Sequence, residues 1–205
     1  MKIVCISDTH NQHARIQVPM GDVLIHAGDA TVLGTLNQVE DFAKWFDSQP
    51  HKYKLYTPGN HDFALEFYRK EALKFFKKSK VLIDEEITIE GKRIYMSPWT
   101  PEFYDWAFMK SLDRIQLVWD NIPSGLDVLV THGPPKGILD ITTKGQNVGC
   151  PSLRDTILKV RPKNHVFGHI HESYGLVSEG ETNYWNVASC NRGYEPVNMP
   201  ITFDI

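Results

Sequence analysis

The sequence predicts a layered α/β fold in which one sheet packs on another. Three observations predict it: short runs of β-branched residues too apolar to have one wet face, helical patterns between those runs, and a strand-rich C-terminal third. The runs Lys2–Ser7, Asp22–His26, Tyr53–Thr57, Arg93–Ser97, Asp127–Thr131 and His165–Gly168 suit strands covered on both faces. Further strands are expected at Glu86–Glu90, Tyr174–Ser178, Tyr184–Ala188 and Ile201–Ile205. The segment Glu86–Ile94 reads as a hairpin turning at Gly91 and Lys92. A helix over Thr35–Asp47 carries Leu36, Val39, Phe42, Ala43 and Phe46 on one stripe, and Thr35 with Gln38 resembles a capping box. A second helix is expected from Asp62 to Lys78, with Leu65, Tyr68, Ala72, Phe75 and Phe76 at helical spacing. Two more are expected at Leu112–Trp119 and Ser152–Val160, the latter stopped near Pro162.

Composition narrows the class. The 205 residues are 41% hydrophobic and 23% charged, enough for one domain, 1–205, with a full core. The formal charge of −3 argues against a dedicated nucleic-acid or membrane-surface binder, which would be basic. No apolar run approaches the ~18 residues of a membrane span. The N-terminus reaches Asp8 too soon for a signal peptide. Three cysteines, Cys5, Cys150 and Cys190, form no C-x-x-C and point to a reducing, cytoplasmic setting, with Cys150 and Cys190 read as buried small residues.

The chemistry sits where the strands end. The first strand runs into Ser7-Asp8-Thr9-His10, the second into His26-Ala27-Gly28-Asp29, and the third into Gly59-Asn60-His61-Asp62. The Asp127–Thr131 strand runs into His132-Gly133-Pro134-Pro135, and the His165 strand into Gly168-His169-Ile170-His171. Carboxyl ends of parallel strands lie along one edge, where ligands bind. Asp8 and His10, like His169 and His171, are two apart, a spacing that points both side chains one way on an extended strand. Carboxylate, imidazole and amide ligands suit Mn, Fe, Zn or Ni. Asp8, His10, Asp29, Asn60, His132, His169 and His171 are too many for one ion with an open position. They match two ions sharing a bridging carboxylate, the roughly 3.5–4 Å clamp used for displacement at phosphorus.

The remaining residues are read more plainly. His26 and His165 lie inside strands, His26 as a core residue or one bonded to a ligand. His51 reads as surface loop, and for His13 a place at the substrate mouth is the less favoured reading. The basic run Arg69, Lys70, Lys74, Lys77, Lys78 and Lys80 alternates with an apolar face and reads as a solvated helix side. Trp99, Phe103, Tyr104 and Trp106 form either a satellite core or a wall on which a nucleobase stacks.

The set Asp8-x-His10, Gly28-Asp29, Gly59-Asn60-His61-Asp62, Thr131-His132-Gly133 and Gly168-His169-Ile170-His171 resembles the calcineurin-like metallophosphoesterase signature, with all five blocks in order. The Thr131–Pro135 and Arg161–Glu172 stretches and the Asn186–Asp204 tail resemble its metallophosphoesterase-domain-containing, brain-type group, related to class III cyclic nucleotide phosphodiesterases. The resemblance implies a four-layer α/β/β/α sandwich with two mixed β-sheets, the metallo-dependent phosphatase fold. It implies that Asp8, His10 and His171 hold one metal, that Asn60, His132 and His169 hold another, and that Asp29 bridges them. It places His61 beside the leaving-group or phosphoryl oxygens.

The expected activity is phosphodiester hydrolysis by a hydroxide held between two divalent ions, with manganese favoured over iron, zinc or nickel. His61 stabilises charge or protonates the leaving alkoxide. A cyclic nucleotide is the substrate favoured by resemblance. Alternatives are a phosphomonoesterase or nuclease of the same fold, or a low-activity nucleotide- or metal-binding scaffold. A homo-oligomer is left open.

Overall fold

The computed structural model describes residues 1–205. Its strands are β1 (Lys2–Ile6), β2 (Val23–His26), β3 (Tyr53–Tyr56), β4 (Lys80–Val81), β5 (Glu85–Ile89), β6 (Lys92–Ser97), β7 (Thr100–Pro101), β8 (Met109–Lys110), β9 (Val128–Thr131), β10 (Asn164–Phe167), β11 (Gly175–Glu179), β12 (Thr182–Asn186) and β13 (Ile201–Asp204). Its helices are α1 (Leu36–Ser48), α2 (Phe63–Phe67), α3 (Arg69–Ala72), α4 (Leu112–Trp119) and α5 (Pro151–Val160).

Two mixed sheets face each other. One runs β13-β1-β2-β3-β4 and the other β11-β12-β10-β9-β6-β5. Their interiors are parallel, and antiparallel partners lie at the edges: β13 in the first sheet, β11 and β5 in the second. The strand sequences explain the layers, because successive side chains point to opposite faces. Ile3, Cys5, Val23, Ile25, Ile94, Met96, Val128, Val130 and Val166 meet between the sheets. Their neighbours Val4, Ile6 and Leu24 face α1 and α2 instead, while Tyr95, Leu129 and Phe167 face α4 and α5. Both faces are therefore apolar and covered, giving the expected α/β/β/α order.

Helix boundaries follow capping chemistry. The N–H of Gln38 donates to Thr35 Oγ1 at 3.3 Å and opens α1. The Gln38 carboxamide turns to Leu33 N–H rather than back to Thr35, so only half of the expected capping box forms. The expected Asp62–Lys78 helix is broken into α2, α3 and a 3₁₀ turn. Tyr68 adopts φ −126°, ψ 38° and is 61% exposed, so it leaves the stripe to which its spacing assigned it. The lysine-rich run there is exposed, as expected. The β5–β6 hairpin turns one residue earlier than expected: Ile89 pairs with Lys92, and Glu90 and Gly91 both have positive φ, 50° and 79°. That is the twist a two-residue hairpin loop prefers.

Candidate metal centre

The carboxyl ends of β1, β2 and β3 meet those of β9, β10 and β12 along one edge. An isolated parallel bridge between Ser7 and Ala188 ties the two sheets together there. The chain leaves the strands abruptly. Asp8, His10, Asp29 and His169 have φ of 51°, 40°, 56° and 67°, in the left-handed region that costs a non-glycine residue energy. The extended-strand reason for the Asp8/His10 and His169/His171 pairs is thus overturned. Strand β1 stops at Ile6, and His171 begins a 3₁₀ turn, so loop geometry delivers these side chains. His169 and His171 accordingly diverge into different groups.

Asp8, His10 and His171 form one cluster, and Asp29, His132 and His169 another. In the first, His10 Nε2 and His171 Nε2 are 3.2 Å apart, and Asp8 Oδ1 is 3.3 Å from His171 Nε2. In the second, His132 Nε2 lies 3.3 Å from Asp29 Oδ2 and 2.9 Å from Asn60 Oδ1. Asp29 stands between the two, its Oδ2 also 3.9 Å from His10 Nε2 and 4.0 Å from His61 Nε2. All eight residues named as site residues from the sequence are brought to this place.

The imidazoles are aimed by the backbone. Nδ1 of His10, His132 and His171 lies 3.1, 2.9 and 2.9 Å from the carbonyls of Thr31, Ala27 and Asn191. Donation there fixes the tautomer and turns each Nε2 lone pair inward, as a metal ligand requires. The Asp8 carboxylate accepts the N–H of His169, and Asp29 accepts that of His61 at 2.8 Å. Gly28, at φ 104°, lies so close to the His132 ring that a Cβ would overlap it, and a Cβ on Gly168 would overlap the Asp8 carboxylate.

Electrostatics fit a cation site. Burial alone would raise the Asp8 and Asp29 carboxyls, yet the adjoining His171 and His132 hold both well below the usual range. Burial opposes charge on His132 and His171 too, and the same carboxylates lift each to about 9. Burial keeps His10 and His169 neutral, at about 4 and about 3. Two anions among inward-facing imidazoles, with proton–nitrogen contacts where cations would sit, form a donor set suited to divalent ions.

Supporting residues lie beneath. Asp62 is fully buried and accepts from Gly59 N, Thr31 N and Thr31 Oγ1 at 2.8, 3.1 and 2.8 Å, locking the β2 and β3 loops together. His26 accepts from Gly28 N through Nδ1 and donates to Thr9 Oγ1, which bears out a core residue behind the ligand loops. His13 is buried, 3.2 Å from Asp41 and packed on Trp45, away from any mouth. The surface-loop expectation for His51 is corrected: it is 2% exposed and donates to Pro19 O.

The aromatic cluster divides. Trp106 packs on His61 at 4.3 Å and Phe103 lies 5.7 Å from His169, both at the site. Trp99 bonds Asp84 and packs on Phe108, and Tyr104 is 78% exposed. Tyr194 stacks on His10 at 4.2 Å, and Arg192 lines the same cavity of about 340 Å³. Sequence reasoning missed both. The strand-end rule extended to β12 would have reached them, since Arg192 and Tyr194 follow that strand on the same sheet edge.

The model of the calcineurin-like phosphoesterase family matches residues 1–173. This chain belongs to that family. Human Metallophosphoesterase domain-containing protein 1 is 43% identical over 232 residues, covering 100% of this chain and 71% of that protein. A Caenorhabditis elegans relative, UPF0046 protein T07D4.2, is 37% identical over 238 residues, covering 100% of this chain and 60% of its own length. Among solved structures, one superposes with a TM-score of 0.71 at 15% identity over 90% of this chain and 89% of that one. TT1561 of Thermus thermophilus superposes at 0.62 and 13% identity over 99% and 98%. At those identities the likeness shows the fold. The family is one of metal-dependent phosphoric ester hydrolases with a dinuclear divalent centre, and the chain carries His/Asp clusters for such ions. No helix is long and apolar enough to cross a membrane.

Proposed function

We propose that the protein is a phosphodiesterase acting on small diesters, cyclic nucleotides foremost. In this reading Asp8, His10 and His171 hold one ion and Asn60, His132 and His169 the other, with Asp29 shared and manganese the favoured metal. The observation that carries it is the position of Asp29, whose single Oδ2 reaches toward both clusters, 3.9 Å from His10 Nε2 and 3.3 Å from His132 Nε2. A shared carboxylate is what a paired centre needs and a single-ion site does not. When bound, the ions lower the pKa of water and offset phosphoryl charge.

The chain supplies the rest. His61 holds its Nδ1 2.8 Å from Val32 O, so Nε2 faces the cavity. That nitrogen lies 4.0 Å from Asp29 Oδ2, placed to stabilise developing charge or to donate a proton to the departing alkoxide. Among lysines and arginines, the cavity is lined by Arg192 alone, which also donates to Thr143 Oγ1. With a net charge of −3, that supports a small ester rather than a long polyanion. Three buried free thiols support a reducing, cytoplasmic setting.

The test is Asp29→Ala and Asn60→Ala against bis-(p-nitrophenyl) phosphate with Mn²⁺, beside an EDTA control. Each variant is expected to lose at least about 10³-fold in kcat/KM, because Lewis-acid stabilisation is worth several kcal/mol. Undiminished hydrolysis by both rejects the mechanism.

A further inference from the structure

A cavity of about 240 Å³ lies between β3 and β4 of one sheet and β5 of the other, and it shares no lining residue with the cavity at the metal centre. Four lysines line it: Lys52 and Lys54 from β3 and the turn before it, Lys78 and Lys80 from β4 and the turn before it. Glu90 is the one carboxylate among the lining residues, and no arginine is among them. Lys52 takes up Glu90, with Nζ 2.6 Å from Oε1. Asp47 accepts the N–H groups of Lys77 and Lys78 at 2.7 and 3.1 Å and also the Ser79 hydroxyl, so it fixes the turn that presents Lys78 and Lys80.

Lys54 is the member that implies a ligand. It is 7% exposed, and a lysine that deep is almost always paired. Its Nζ donates to Gln49 O at 3.1 Å and His51 O at 2.9 Å, which leaves the third N–H of the ammonium without a protein partner. Burial holds that ammonium below its ordinary value, and Lys78 adds to the effect against the pull of Asp47. Lysines from two turns thus converge on one space in a chain whose net charge is −3. Like charges held together cost stability unless an anion joins them.

We infer that this cavity is a binding site for a free, doubly charged oxyanion of the phosphate class, separate from the metal centre. Size sets the upper limit: pockets for drug-sized ligands hold about 300–1,000 Å³, so this one takes a small ion. The donors choose among anions. A carboxylate is matched by the planar arginine fork, which is absent, whereas ammonium groups are point charges that can surround a tetrahedral oxyanion from several sides. A dianion answers the excess of lysines over Glu90 better than a single charge does. The basic run that resembles a solvated helix side in the sequence therefore lends two members, Lys78 and Lys80, to a site. This site stands whether or not the metal centre hydrolyses esters.

The test is titration of the zinc-loaded protein with inorganic phosphate, followed by isoleucine methyl resonances, which diamagnetic Zn²⁺ leaves sharp. Ile87 and Ile89 line the lysine cavity and Ile170 lies beside the metal centre, so the two places are read separately. Saturable shifts of Ile87 and Ile89 are expected from phosphate and from sulfate, and not from chloride at matched ionic strength. Lys78→Gln with Lys80→Gln is expected to weaken phosphate binding there at least about tenfold, the worth of one hydrogen bond to a charged group, with the Ile170 response unchanged. Lys144→Gln with Lys159→Gln removes the same charge at exposed positions elsewhere and is expected to weaken it about twofold or less, because salt screens distant charges. Absence of saturable shifts at Ile87 and Ile89, equal shifts from chloride, or equal weakening by the two double variants overturns the site. Pelleting with phosphatidic acid vesicles without a response to free phosphate also overturns it, and makes this surface a membrane contact.

Discussion

At His169 and Phe103 the polar cavity adjoins a second, less polar cavity of about 380 Å³ walled in part by Pro134, Val148 and Ile170, and the two are assembled differently. The polar side is delivered by strand ends. Asp8, Asp29, Asn60 and His132 follow β1, β2, β3 and β9 by one to four residues, and each is cross-linked to a loop of a neighbouring strand. The apolar side is delivered by the short β7 and by the segment from Pro134 to Cys150, which carries no regular element before α5. Side chains rooted in a sheet edge take their positions from the sheet, whereas those on connecting segments take theirs from whatever packs against them. The contrast predicts that changes on the polar side affect chemistry and folding together, and that changes on the apolar side affect selection of substrate.

The largest effect expected on the polar side, beyond loss of a ligand, comes from His61→Ala. The kcat should fall about 10²- to 10⁴-fold, the range for a positioned proton donor, with metal content unchanged. A fall in bound metal equal to the fall in kcat would make His61 a ligand and redraw the site.

Next comes Asp62→Ala, which removes the acceptor of four buried donors, the N–H groups of Ala30, Thr31 and Gly59 and the Thr31 hydroxyl. Unfolding free energy in urea should drop by about 3 kcal/mol, the cost of breaking a buried charged hub. Glu172, which accepts Thr143 N–H at 3.1 Å at the exposed rim of the polar cavity, offers the contrast. Glu172→Ala should cost about 1 kcal/mol or less, as for one partly exposed bond. Equal losses would remove the distinction between a buried hub beneath the site and an exposed contact at its rim.

A smaller effect than the loss of the Asp62 hub is acid sensitivity. Burial depresses His26 and His165 from 6.5 to about 3. The unfolded chain takes up their protons first, so the stability they confer as neutral residues is complete above pH 6.5 and is lost as pH falls toward 3. Between about pH 7.5 and about pH 5.5 each should account for about 1.4 kcal/mol of lost stability. In His165→Leu the difference between those two conditions should shrink by that amount, whatever the variant's absolute stability. An unchanged difference would mean that His165 is charged in the folded protein.

Much of this was readable beforehand because the strand interiors alternate between two buried faces and the turn motifs fall at their ends. The sheet-on-sheet α/β layering, the Leu112–Trp119 helix and the gathering of Asp, Asn and His side chains at one sheet edge follow from that regularity, whereas the four-layer order and the residue roles were implied by the family resemblance. What escaped reading was non-local. Periodicity could not show that Tyr68 breaks its helix, because the break comes from a backbone conformation outside the helical region. Nor could it show that His51 is covered by the Pro19 segment, 32 residues away. The i, i+2 argument brought Asp8 and His10 to the right place for the wrong reason, since left-handed residues aim them. Tyr194 and Arg192 sit on a loop whose local sequence carries no strand or helix period, so their one sequence signal was their place after β12, beside β10 on the same sheet edge.

The central claim, two ions held in common by Asp29, is tested most directly by diffraction from crystals soaked in Mn²⁺, with anomalous difference maps at the metal edge. The account predicts two peaks per chain, one among Asp8, His10 and His171 and one among Asn60, His132 and His169, each touching Asp29. A single peak, or a pair in which Asp29 contacts only one, would contradict it.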